Sequence, residues 1–379
     1  MNIRPVARRL RRLLRRHEPL ITVAISKENL LHNFRTYKEA YPDQAIAPVL
    51  KSNAYGHGLV VIAELLDKED IAFFMVDSLY EADMLRKAGI RSRIVVMGYV
   101  RPEAIVLSKL PNTDFAIVDI EQLRSVAKEA RTSVRLHLKL DTGMHRQGLL
   151  PEGLNEAVKL IKGNPRISVV GVATHLADAD NIDATFTDTQ LSLWDSLLET
   201  VKAAFPSIEY THAAATKGVR TSVNHPMNVL RIGMGLYGCN TAPGDTLRLK
   251  SVLSMHSFVT SIRTIPEGDT VGYNATYRAT RPSRIATVPA GYYEGIDRNL
   301  SNVGSLQVNG SICPIVGCVS MNMVSIDVTD TDTKRGDPVT LISRNPEDPN
   351  SVLSMAHLTG TTPYVILAHI PTHLYRTVV

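Results

Sequence analysis

Lys51 ends an apolar run, IAPVL (46–50), and the polar cluster Ser52-Asn53-Ala54-Tyr55-Gly56-His57-Gly58 follows at once. Four further clusters interrupt apolar runs in the same way: Lys139-Leu140-Asp141-Thr142-Gly143-Met144-His145-Arg146, then Thr174-His175, His212-Ala213-Ala214-Ala215-Thr216 and Arg231-Ile232-Gly233. A lysine held among apolar groups is expected to lose its proton more readily, and a neutral amine is a nucleophile. Amine nucleophiles act on carbonyls, so the chemistry implied is a Schiff base, either with a substrate or with pyridoxal phosphate. A strand-end lysine by itself is more often a snorkelling surface residue; the ordered set of clusters carries the argument. Metal chemistry is disfavoured, because His57, His175 and His212 have neither an HExxH motif nor paired i, i+4 spacing. A serine-hydrolase reading fails for want of a GxSxG motif.

The elements that must position these groups alternate. Apolar runs at 46–50, 72–76, 93–97, 114–118, 136–140 and 169–174 read as strands, and the stretches at 59–69, 80–89 and 120–131 have the period of amphipathic helices. Near-continuous apolar strands alternating with helices imply a parallel sheet. Roughly eight such units fit before residue 240, the size of a (β/α)8 TIM barrel, in which catalytic groups gather at the C-terminal ends of the strands. A doubly wound sheet is the weaker reading, since the first strand–helix turn has no GxGxxG loop. From about residue 250 the texture becomes Val, Ile, Thr and Tyr broken by turns such as PEGD (266–269) and VNGS (308–311), as in an antiparallel β domain. The expected division is a basic extension over 1–17, a barrel over 18–249 and a β domain over 250–379.

The 379 residues are 44% hydrophobic and 21% charged, enough for a substantial core. No apolar stretch approaches the ~20 residues that span a bilayer. Cys239, Cys313 and Cys318 are too few and too scattered for a disulfide framework, and a reducing cytoplasm is the plain reading. Residues 1–17 hold seven arginines and no acid; removing those charges from the formal +5 leaves −2 for the rest. Val6, Leu10, Leu13 and Leu14 fall on one helical face of this segment. It reads as a membrane-surface or nucleic-acid helix, as an organelle-targeting segment, or most simply as an added solvated helix. No second basic patch with interleaved aromatics supports nucleic-acid binding.

The motifs also carry a resemblance. APVLKSNAYGHG (47–58), HLKLDTGMHRQG (137–148), THLADAD (174–180), LRIGMGLYG (230–238), VGYNATY (271–277), GYYEG (291–295) and TTPY (361–364) occur in the order found in alanine racemases, and together they span roughly residues 20–375. The chain therefore resembles the alanine racemase family of fold-type III amino-acid racemases, which implies a barrel that binds pyridoxal 5'-phosphate followed by a β domain. Lys51 then matches the lysine that carries the cofactor and later serves as one of two bases, and Tyr273 matches the base on the opposite face. In the family that tyrosine comes from the neighbouring subunit, so a homodimer with shared sites is implied. Arg231 matches the arginine that faces the pyridine nitrogen. Tyr55, Thr216, Gly233, Met234 and Tyr364 match the phosphate-side residues. Arg146 and Met321 match residues that meet the substrate carboxylate, and Lys139 matches a lysine that is often carbamylated. His175 and His212 match histidines in a network between Arg231 and the tyrosine base, His175 on the cofactor side of it, and Tyr292 lies in a supporting motif. No metal is implied.

The sequence departs from the family pattern at three points. Ala215-Thr216 stands where Asn-Ser is usual. Cys318 and Asn322, in GCVSMN (317–322), replace the common Arg and Asp. The implied function is interconversion of L- and D-alanine by Lys51 and Tyr273, in the cytoplasm, supplying D-alanine for peptidoglycan. The changes near Met321 leave room for a broader racemase that also takes serine. A non-catalytic pyridoxal-phosphate barrel protein is the remaining alternative; such proteins resemble the barrel half alone, which VGYNATY and GCVSMN argue against.

Overall fold

The computed structural model describes residues 18–239 and 244–379; the arginine-rich segment 1–17 lies outside the described residues. The chain forms two compact units. The first comprises Ser26–Val252, Pro363–Ala368 and Val378–Val379; the second comprises 18–25, Leu253–Thr362 and His369–Thr377.

The earliest strand, β1 (Thr22–Ile25), belongs to the second unit. The first unit is built on β2 (Ala45–Pro48), β3 (Phe74–Val76), β4 (Ile94–Val96), β5 (Thr113–Ile117), β6 (Val134–Lys139), β7 (Ile167–Ala173), β8 (Tyr210–His212) and β9 (Val229–Ile232). Strands β3 to β8 form one parallel sheet in sequence order, and β9 pairs in parallel with β2. Two isolated parallel bridges, Val49 to Met75 and Ala215 to Arg231, join these sheets into a closed eight-stranded ring. Helices follow the strands as the periodicity predicts: Leu59–Leu66, Leu79–Lys87 and Ile120–Glu129 are helical. Ser78 and Asp119 cap the last two, each accepting from a backbone N–H three residues on.

Because side chains alternate along a strand, residues two apart share a face. Phe73, Val95, Ala47 and Val229 pack together as one apolar cluster, with Met75, Met97 and Tyr210 against it.

The second unit holds a six-stranded sheet in the order β16-β15-β18-β10-β1-β19, made from β10 (Leu253–Phe258), β15 (Ser305–Val308), β16 (Ser311–Pro314), β18 (Pro338–Ile342), β19 (Tyr375–Val378) and β1. A three-stranded sheet joins β11 (Ser261–Ile265), β14 (Ser283–Val288) and β17 (Val324–Asp327), and a ribbon pairs β12 (Thr270–Val271) with β13 (Tyr277–Arg278). The pairs β1–β10, β10–β18, β11–β14, β12–β13, β14–β17, β15–β16 and β15–β18 are antiparallel, as the turn-rich texture predicts.

Candidate active site

Ten of the residues singled out from sequence line one cavity of about 410 Å³ in the barrel unit: Lys51, Tyr55, Lys139, Arg146, His175, Thr216, Arg231, Gly233, Met234 and Tyr364. Tyr364 reaches it from Pro363–Ala368, which packs with the barrel unit although it lies late in the chain. His212 stands behind the wall, bonded to Arg231. Tyr273, Tyr292 and Met321 belong to the second unit and are 66%, 41% and 55% exposed.

The segment after β2 is unusual. Ser52, Asn53, Ala54 and Tyr55 all take positive φ, between 50° and 56°. A left-handed turn of non-glycine residues costs about 1–2 kcal/mol per residue, and such strain persists only where the surroundings enforce it. Here Ala54 N–H donates to Leu50 O at 2.7 Å and Gly58 N–H to Asn53 O at 2.9 Å. The Asn53 side chain accepts from Leu59 N–H at 2.9 Å. His57 stacks on Tyr237 with ring centroids 4.2 Å apart, and the Tyr237 hydroxyl donates to Val49 O at 2.8 Å. The turn places Lys51 at the cavity and swings Tyr55 back under it. Tyr55 also explains Gly233: a Cβ there would come within 2.9 Å of the Tyr55 hydroxyl.

Lys51 itself is exposed. The buried lysine of the cavity is Lys139, which is 8% exposed. Burial, reinforced by the charges of Arg146, Arg231 and Lys51, lowers the Lys139 amine to a pKa of about 8. Its only hydrogen bond among the described residues is to the Gln147 side chain, at 3.2 Å. Arg146 is aimed by the loop after β6, where Asp141 Oδ1 accepts from the N–H groups of Gly143 and His145 at 3.0 and 3.1 Å.

Arg231 is only 3% exposed, and burial draws its pKa down to about 10. Its Nη2 donates to Thr174 O and Ala213 O, both at 2.8 Å, and to His175 Nδ1 at 3.1 Å. Nη1 donates to His212 O and, at 3.1 Å, to His212 Nδ1. Burial and the Arg231 charge hold His175 down to about 3 and His212 well below the usual imidazole range, so both rings are neutral acceptors. At the opposite rim the Thr216 hydroxyl accepts from Gly233 N–H and Gly235 N–H, both at 3.2 Å.

Four cationic side chains, Lys51, Lys139, Arg146 and Arg231, thus meet in one cavity, a setting for anionic groups. Among the described residues no cluster of three or more His, Cys, Asp or Glu could hold a metal, and no helix is long and apolar enough to cross a membrane. Sequence reading missed His137 and Asp114, buried beneath Arg231. The strand period held a signal for the first: His137 and Lys139 are two apart on β6 and share its inward face. Asp114 looked like the edge of an apolar run.

In the second unit, Asn322 Nδ2 donates to Glu294 Oε1 at 2.7 Å, while Glu294 Oε2 accepts from Gly291 N–H at 2.8 Å. Tyr292 N–H and Tyr293 N–H each donate, at 3.0 Å, to the Ser320 and Met321 carbonyls respectively. These bonds hold the 291–295 turn against the GCVSMN loop and leave Met321 outward.

Fold and site together define a (β/α)8-barrel protein of the class that carries its chemistry at the strand C-termini, here with an amine and a buried guanidinium. Family comparison narrows this. Residues 25–241 match the N-terminal domain of alanine racemase and residues 252–378 its C-terminal domain. The chain is 32% identical over 357 residues to an alanine racemase of Carboxydothermus hydrogenoformans, covering 91% of this chain and 96% of that one. It is 34% identical over 367 residues to an alanine racemase of Sorangium cellulosum, covering 93% and 97%. The structure of the Bacillus anthracis alanine racemase with bound L-Ala-P is similar at a TM-score of 0.88, with 29% identity and 96% of each chain covered. The chain belongs to the alanine racemase family, and is an isomerase, an amino-acid racemase.

Proposed function

We propose that the chain interconverts L- and D-alanine with pyridoxal 5'-phosphate, using Lys51 and the partner subunit's Tyr273 as two bases, and supplies D-alanine for peptidoglycan in the cytoplasm. The observation that carries this reading is the convergence of Lys51, Arg231, Thr216 and the Tyr55–Gly233 contact on one cavity. The residues present fit the cofactor. Lys51 would hold it covalently, Arg231 would face its ring nitrogen, and Tyr55, Thr216, Gly233, Met234 and Tyr364 would hold its phosphate. A dianion suits backbone N–H groups at the start of a turn. The close approach of Tyr55 to Gly233 leaves no room for a side chain there. When bound, the cofactor supplies the electron sink that makes the substrate Cα proton removable.

The protein's part is to hold charge and move a proton. Arg146 and the Met321 N–H would orient the substrate carboxylate. Lys51 Nζ exchanges the Cα proton on one face and Tyr273 Oη on the other, so the substrate need not turn over between steps. Arg231 stays charged between two neutral imidazoles, and a guanidinium gives up no proton to the ring nitrogen, which restrains electron withdrawal and the side reactions that follow from it. Lys139, as an ammonium, would repel Arg146; carbamylation would make it an anionic partner and remove that conflict. The low pKa of Lys139 favours the neutral amine that such a modification requires. Asn322 and Cys318 stand beside Met321 in sequence, so serine is the second substrate to try.

The protein, with cofactor, is incubated with L-alanine in deuterated water, and optical rotation and Cα exchange are followed. Loss of rotation with deuterium entering Cα is the expected result; no D-alanine formed with the cofactor bound would overturn the reading.

A further inference from the structure

Below the cavity a line of buried polar groups crosses the barrel interior. Arg231 Nη1 lies 3.1 Å from His212 Nδ1; His212 Nε2 lies 2.9 Å from His137 Nδ1; His137 Nε2 lies 3.5 Å from Asp114 Oδ2. All three residues beneath Arg231 are fully buried. Asp114 Oδ1 is held at the far end by Arg93 at 2.8 Å and Arg135 at 3.0 Å.

The direction of the line is forced. A guanidinium has only donors, so His212 Nδ1 must accept, and its proton must sit on Nε2. That N–H can donate only if His137 Nδ1 accepts, which puts the His137 proton on Nε2, facing a carboxylate that can only accept. His137 Nε2 and Asp114 Oδ2 lie 3.5 Å apart and neither has a hydrogen-bond partner among the described residues, so the contact is electrostatic, with the Nε2–H turned to the carboxylate. The opposite arrangement would set an imidazole lone pair against carboxylate lone pairs in a dry interior. A doubly protonated His137 would push a proton onto His212 Nδ1, against the Arg231 donor. Burial also disfavours that charge on His137, despite Asp114. Asp114 itself remains a carboxylate: burial would raise its pKa, but His137, Arg93 and Arg135 outweigh burial.

The backbone makes room for this line. The β6–β7 register runs Leu136 to Val169 and then His137 to Gly171, so one residue of β7 is skipped. Bulges of this kind re-aim side chains. A Cβ at residue 171 would lie 2.2 Å from His137 Nδ1, so only glycine leaves space for the ring. Phe73 meets both imidazoles edge-on or tilted, at 5.6 and 5.5 Å, and Tyr210 stacks on His137 at 5.8 Å. Such walls keep water out and strengthen each bond in the line.

We propose that Asp114 and His137 are positioning residues, which lock the His212 tautomer and thereby fix where Arg231 points its remaining donor. The functional part rests on the reading of Arg231 as the partner of the cofactor's ring nitrogen. Among the described residues Arg231 Nε has no protein acceptor, so the line that anchors Nη1 leaves Nε to the cavity that Arg231 lines.

The test uses the holoenzyme labelled with 15N-histidine, with ring nitrogens read by long-range 1H–15N correlation. In the unsubstituted enzyme His137 and His212 are both expected as neutral Nε2–H tautomers between pH 6 and 9, a range set about the usual imidazole pKa. A proton on Nδ1 of either ring, or a charged ring, overturns the proposal without any variant. Asp114→Asn offers an amide that can donate as well as accept, so the single tautomer is no longer enforced from this end and a mixture is expected at both histidines, its inverted fraction setting His212 Nδ1–H against the Arg231 donor. Turnover should fall about tenfold with KM changed less than about twofold, because the line touches Arg231 and not the substrate. An Asp114→Asn enzyme with both tautomers retained and turnover unchanged also overturns it. The tautomers are read independently of racemisation, so failure of the proposed reaction would show in the deuterium experiment while this readout stands.

Discussion

The barrel unit and the β unit present their share of the candidate residues in opposite ways. In the barrel, Arg231, Thr216, Lys139 and His212 are buried, and each is tied by hydrogen bonds to backbone or to another member of the site. In the β unit, Tyr273, Met321 and Tyr292 are exposed, and Met323 beside them is 53% exposed. A buried polar group has its geometry set by its partners. An exposed aromatic and methionine surface is of the kind that another protein surface covers. The contrast supports the proposal that the barrel half of each site is finished within its own chain and the other half by a second copy.

Mixing two inactive variants would break that comparison most directly. Lys51→Ala and Tyr273→Phe should each lower turnover by about 10²–10⁴, the range of a general acid–base contribution. If sites are shared, random reassortment of the two should restore up to roughly a quarter of normal activity, because half the dimers are mixed and each of those has one intact site. If both bases belong to one chain, reassortment restores nothing. Activity after mixing therefore separates the two arrangements even when each variant alone is silent.

The same contrast explains what the sequence made legible. The barrel announced itself through periodicity, because strands buried on both faces and helices buried on one must be apolar at fixed spacings. Lys51 and Arg231 were visible as polar residues at strand ends. The left-handed turn at 52–55 was not, since glycine is the usual mark of positive φ and none of Ser52, Asn53, Ala54 and Tyr55 is glycine. The lowered amine of Lys139 was not legible either, because burial depends on neighbours distant in sequence. Asp114 lay hidden because its partners are Arg93, just before β4, and Arg135 and His137 on β6, and no local pattern encodes a contact between strands.

Asn322→Asp sharpens the β half. The Asn322 amide is 2.7 Å from the Glu294 carboxylate, and the substitution would set two carboxylates face to face at a site where Glu294 is 8% exposed. Two carboxylates so placed cannot both ionise without cost, so the pair keeps a shared proton above the usual carboxylate range. A raised folded-state value means stability lost as pH rises. The variant should match the parent near pH 4 and lose about 1 kcal/mol or less by pH 7, because Asn322 is exposed and water screens the new charge although Glu294 loses its donor. Thermal melts across this range check it; a constant difference at every pH would mean that the Asn322–Glu294 bond does not govern the loop.

The smallest effect probes the barrel half through Lys139. Its charged form is disfavoured on folding, with a pKa near 8 against 10.5 for a free lysine. Between these values the unfolded chain binds more protons than the folded one, so stability rises with pH across this window, and below about pH 8 the full penalty of the buried ammonium is present. Lys139→Gln removes that penalty. In buffer freed of carbon dioxide the variant should melt about 2–4 °C higher than the parent at pH 7, and the advantage should vanish by pH 10. Added bicarbonate should reverse the order at pH 7 if the amine becomes a carbamate, because the parent then gains an anion beside Arg146 and the glutamine variant gains nothing. A bicarbonate-independent advantage would leave Lys139 an unmodified cation, and the conflict with Arg146 would then have to be met by another anion in the cavity.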